Sequence, residues 1–173
     1  KTNYFYFVSG LPDILMDDSK SFIHSEELKI QLEDHLDKKD YALAKLIYHA
    51  YDNINLLNLL LKKEEAFHTL GNYSQEELED QIKEPTFIEG YLKDFILYFL
   101  AEEEKPSELF LKNKLLTNYY NFVCETENPF LNQWFRFERD INNIFTSFNC
   151  RKFNYDLGTH LIKGDLKYEA YNY

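Results

Sequence analysis

The one pair of side chains with a metal-like spacing is Glu65-Ala-Phe-His68. On a helix, residues three apart share a face, and carboxylate-bridged di-iron bundles use this Glu-x-x-His spacing. Such a centre takes two copies plus two further inward glutamates, and the chain holds no second copy. The pair therefore reads as a surface Glu and His near a helix end, and a metalloenzyme resting on it ranks last. His24, His35, His49 and His160 are scattered, and each reads as a solvated or hydrogen-bonded residue. Other chemistries lack their motifs. No glycines cluster into a phosphate loop or a dinucleotide fingerprint, and Cys-x-x-Cys, His-Glu-x-x-His and Gly-x-Ser-x-Gly do not occur. These absences remove motif-bearing classes. The chain is read as a non-enzyme, with no catalytic residue, cofactor or metal assigned.

What remains are charged residues in unusual places. The last long helical stretch, about 130–152, carries all three arginines, Arg136, Arg139 and Arg151. At 100° per residue, Phe130, Leu131, Trp134, Phe137, Ile141, Ile144, Phe145 and Phe148 fall on one stripe, read as core. Arg136, Arg139, Asn143 and Ser147 lie opposite. Glu138 falls inside the stripe. An unpaired carboxylate there is costly, so it should be mostly buried and find a partner from another helix or the tail, a Tyr or a Lys. Alternatively it is a contact reserved for a partner subunit. Between Glu76 and Glu104 ten acids face Lys83 and Lys93, a net −8 of the total −11. This segment reads first as a solvated face and second as a docking surface for a basic partner. Glu102, Glu103 and Glu104 fall at an expected helix C-terminus, where the dipole disfavours negative charge.

These side chains are positioned by helices. There are 25 leucines and two valines among 173 residues, with few glycines and prolines for the turns of a sandwich or barrel. Helices are expected over about 26–36 with Ser25 as N-cap, and over about 40–62. In the latter Leu43, Leu46, Ile47, Ala50, Ile54, Leu57 and Leu61 form the inner face, and Lys45, His49 and Asp52 lie opposite. Ser74 and Glu77 form one capping box, Thr86 and Glu89 a second. The second opens a helix ending at Glu102–Glu104. Pro106-Ser107 and Asn128-Pro129 start the last two helices. The run Tyr4–Val8 is a short strand or a helix end, residues 12–24 a loop, and the tail over 153–173 weakly structured. The expectation is a single all-α domain over 1–173, an antiparallel bundle of about six helices.

Composition narrows the partners. A net charge of −11 and a pI near 4.9 argue against nucleic acid and against a polybasic contact with anionic lipid. Two cysteines make no disulfide scaffold and suggest a reducing compartment. The most apolar long window, Tyr41 to Leu61, contains Lys45, Asp52 and three asparagines, and is a poor membrane span.

Two segments carry a resemblance. Tyr4-Phe-Tyr-Phe-Val-Ser-Gly-Leu-Pro-Asp13, and Asn128-Pro-Phe-Leu-x-x-Trp134-Phe-x-Phe-Glu138 continuing to Asn149-Cys-Arg-Lys152, resemble the signatures of an uncharacterised bacterial family encoded in V-type ATPase operons, notably in Bacteroidetes. Leu70-Gly-x-Tyr-x-x-Glu-Glu-Leu78 fits as well. The family is similar in helical build to the rotary ATPase subunit called C or d, which sits on the membrane ring and receives the central stalk. The resemblance implies a non-catalytic accessory or central-stalk adaptor whose partners are the stalk and ring subunits. Such a protein is cytoplasmic and peripheral to the inner membrane. It implies no catalytic residues, and a chain shorter than its relatives, truncated in the tail. Partner-binding or buried polar candidates are Glu138, Arg136, Arg139, Glu102, Glu103 and Glu104. The alternative is a free-standing helical binding module, such as an assembly factor or regulator.

Overall fold

A computed structural model describes residues 3–12 and 23–162. It is all-α. Among the described residues there is no strand and there are eight helices: α1 (Phe5–Gly10), α2 (Ser25–His35), α3 (Lys38–Leu60), α4 (Gln75–Lys83), α5 (Gly90–Ala101), α6 (Glu108–Val123), α7 (Pro129–Phe153) and α8 (Leu157–His160). The six expected helices are present, and α1 and α8 are additional. The Tyr4–Val8 run is therefore a helix end. Most of the loop expected over 12–24, and the tail from 163 onward, lie outside the described residues. The tail up to Ile162 is ordered by packing: Leu161 and Ile162 are both buried.

Helix α6 is the hub, packing against α3, α5 and α7. Leu111, Leu115 and Val123 of α6 meet Leu56 of α3 and Leu92, Phe95 and Ile96 of α5 in a core that also takes Leu78 and Phe135. Each fully buried Leu or Phe contributes on the order of 2 kcal/mol by leaving water.

Helix starts follow local chemistry. The Ser74–Glu77 capping box forms in both directions: Glu77 N donates to Ser74 Oγ at 3.2 Å, and Ser74 N to Glu77 Oε2 at 2.7 Å. Ser107 accepts from Phe110 N, and Asn128 from Leu131 N, with Pro129 in the first turn. Two expected caps are corrected. Ser25 is the first helical residue of α2, and His24 stands at the cap without a side-chain bond. The Thr86–Glu89 box does not form, and α5 starts at Gly90. The buried Gln81 explains this. Its Oε1 accepts from the N–H groups of Thr86, Phe87 and Ile88 at 2.8, 2.9 and 3.1 Å, which holds 86–88 as a turn.

The inner and outer faces of α3 also differ from expectation. Ile47 and Ile54 are exposed, while His49, Asp52, Asn53 and Asn55 are buried. These polar groups bind the irregular segment after α3. Asn55 donates to His68 O and accepts from His68 N, both at 2.9 Å. Asp52 accepts from Asn72 N, Asn72 Nδ2 and Tyr73 N, and pairs with His49 Nδ1 at 2.9 Å. Backbone groups buried without water need such partners, so a polar helix face turned inward is what this loop demands.

Candidate functional site

The same inversion is larger on α7. Its short polar face is inside: Arg139, Asn143 and Ser147 are buried. Asn143 grips the returning chain, donating to Ile162 O at 3.0 Å and accepting from Ile162 N at 2.9 Å. Ser147 Oγ donates to Asn143 O. With that face committed to the tail, the stripe read from sequence as core is turned outward. Phe130 is 72% exposed, Phe137 57%, Phe145 64% and Phe148 60%. Trp134 and Ile144 are also exposed, and only Leu131 of the stripe is buried. The neighbouring Phe135, outside the stripe, is the aromatic that reaches the core.

Glu138 sits at the edge of this outward face. It is half-buried, less than expected, and its polar neighbour is of the expected kind: Tyr120 of α6, whose hydroxyl faces the carboxylate. Asn142 Nδ2 in turn donates to Tyr120 Oη at 3.0 Å. Burial raises the Glu138 carboxyl above its ordinary pKa, and the Tyr120 bond offsets part of that. Burial, then the adjacent Glu138, raise the Tyr120 phenol, so Tyr120 stays a donor. Glu138 borders a cavity of about 330 Å³ between α3, α6 and α7, lined by Ile54, Leu57, Leu116 and Tyr119 among others. Asn53 lines the same cavity. Its Oδ1 accepts from Tyr91 Oη at 2.9 Å, while its buried Nδ2 has no acceptor.

The other candidates do not gather here. Arg136 is partly exposed and donates from Nε to Asn132 Oδ1 at 3.1 Å. Arg139, expected on the outer face, is buried, with Nε 3.3 Å from Asp140 Oδ1. Helix α5 ends at Ala101, so Glu102 caps it and Glu103 and Glu104 stand exposed beyond. Lys105 Nζ donates to Phe99 O and Glu102 O, bringing a cation to that helix end. The acidic segment as a whole is spread over α4, α5 and their ends, without forming one site.

Glu65 and His68 lie in the irregular segment after α3, both exposed, so the helical spacing that suggested a metal pair does not exist. Among the described residues no cluster of three or more metal-ligating side chains occurs. The pairing that sequence reasoning missed is His49–Asp52, enclosed by the rings of Tyr73, Tyr91 and Phe122. Its signal was the company of Asn53 and Asn55 on one helix. Solvated helix faces carry Lys and Glu more often than a run of short amides.

No curated protein and no solved structure matches the chain. One family model does, over residues 1–168, and its description is a protein of unknown function. Both segments that carried the resemblance, Tyr4–Asp13 and Asn128–Lys152, fall within that match. The chain belongs to the DUF2764 family.

Proposed function

We propose that this protein is a non-catalytic helical adaptor that docks through the outward face of α7, and that its partners are the stalk and ring subunits of a V-type ATPase. The exposed stripe is the observation that carries docking. Folded monomers rarely expose a contiguous apolar patch beyond a few hundred Å² unless it binds something. Burying such aromatics against a partner is the usual source of interface energy. The ATPase assignment is supported by the resemblance of Tyr4–Asp13 and Asn128–Glu138 to the family encoded in V-type ATPase operons. In this reading the chain works mechanically, as a rigid spacer held peripherally at the inner membrane by its partners. No described helix is long and apolar enough to cross a membrane.

The test is purification of the tagged native protein from membranes of its own cells. Stalk or ring subunits should co-purify in fixed stoichiometry, and the protein alone should ignore anionic liposomes. Recovery with soluble partners only would favour a free-standing assembly factor or regulator and refute the stalk role.

A further inference from the structure

We infer that α7 pairs lengthwise with a heptad-patterned helix of another protein, and that Glu138 selects a partner carrying Lys or Arg beside its apolar seam. This rests on the docking reading of α7 given above. The spacing carries it. Phe130, Trp134, Phe137, Ile141, Ile144 and Phe148 follow one another at intervals of four, three, four, three and four. That is the 3.5-residue period of a two-stranded coiled-coil seam. Five of the six are exposed, and Ile141 is partly so. The seam spans roughly 27 Å of helix, enough for nearly three heptads of a partner. Aromatic side chains bury about 150–250 Å² each. The aromatics exposed on this face therefore offer on the order of 500 Å², before the isoleucines are added. A standard interface takes about 800 Å² from each side.

Glu138 follows the seam residue Phe137 directly, at the flanking position where charge sets partner choice in coiled coils. Its side chain is partly exposed there. A second copy of this chain does not complete that position. Antiparallel pairing about Ile141 would match Trp134 with Phe148 and Phe137 with Phe145, but it sets Glu138 against Ile144. Parallel pairing sets Glu138 against Gln133. Neither supplies a cation, and each copy brings a charge of −11. A basic residue on a different protein satisfies both terms.

The experiment is site-specific photo-crosslinking in the protein's own cells, with Phe137→p-benzoylphenylalanine in the full chain and Glu79→p-benzoylphenylalanine, on exposed α4, as control. The crosslinked peptide should come from another protein, show a heptad pattern, and carry Lys or Arg within about one turn of the attachment point. Glu138→Lys should lower the yield at least tenfold, and exchanging the partner's cation for Glu should restore it. If Glu138→Lys does not fold, Glu138→Gln makes the same comparison with a smaller loss. Crosslinks to a second copy, to residues 163–173, or to a segment without a heptad pattern overturn the inference. So does a yield no higher than the control, or one indifferent to Glu138. A heptad partner outside the ATPase upholds this pairing and removes the ATPase reading. ATPase co-purification without the seam crosslink does the reverse.

Discussion

Asp52 shows how closely single residues are fitted to one another. Its carboxylate collects three N–H donors and His49 in a fully buried site, and this accounts for the glycine at position 71. A Cβ there would stand 2.5 Å from Asp52 Oδ1 and 3.3 Å from Asn55 Nδ2, so space alone restricts the residue. Gly71→Ala should cost about 1–3 kcal/mol, read as a lower urea midpoint with an unchanged slope. Glu138 makes a different demand. A carboxyl whose pKa is raised on folding binds its proton more tightly in the native state. Its charge therefore costs stability above the native pKa, and that cost is gone below the unfolded value near 4.5. Glu138→Gln should match or exceed the wild-type denaturation midpoint at pH 7. The wild type should gain on the variant as pH falls toward 4.5. A variant clearly less stable at pH 7 would mean that the Tyr120 bond outweighs desolvation.

At the scale of elements, α7 gives the sharpest contrast between pattern and placement. If its stripe were core, Phe148→Ala would cost about 3–5 kcal/mol. On the outward face the same substitution should change stability by less than about 0.5 kcal/mol, while lowering the protein's binding of a hydrophobic dye. Helix existence was legible from leucine content, Ser74, Ser107 and Asn128, because caps and periodicity act locally. Which face turns inward was not, because periodicity marks a stripe without naming its neighbour. For α3 and α7 the neighbour is an irregular chain segment whose backbone N–H and C=O groups outbid apolar side chains for the inner face. Asn143 and Ser147 looked like solvent-facing residues only while the Ile162 backbone was out of view. The Tyr120 partner of Glu138 was foreseeable in kind, since a buried carboxylate needs a donor. Its position on α6 depended on packing that no local pattern encodes.

On the scale of the molecule, three of the described irregular segments, those after α3, α4 and α7, are fastened by buried polar side chains of the helix that precedes them. Asn143→Ala should speed amide exchange in α8 and at Ile162 while leaving α4 and α5 protected, because the loss is confined to one fastening. Uniformly faster exchange would mean that the tail is part of a single cooperative core. These fastenings also set an order in time. Gln81 reaches 7 residues ahead, Asn55 13, Asn143 19 and Asp52 20 to 21. Loop-closure entropy rises by only about 0.6 kcal/mol per doubling of length, so each closure is cheap and none waits for a distant part of the chain. A chain growing from its N-terminus can lock α3, α4 and α7 to their following loops within about two dozen residues of synthesis. That keeps contact order low and folding fast. The aromatic face of α7 is made after α3 and α4 can already be closed onto their loops, so it emerges onto helices whose inner faces are taken.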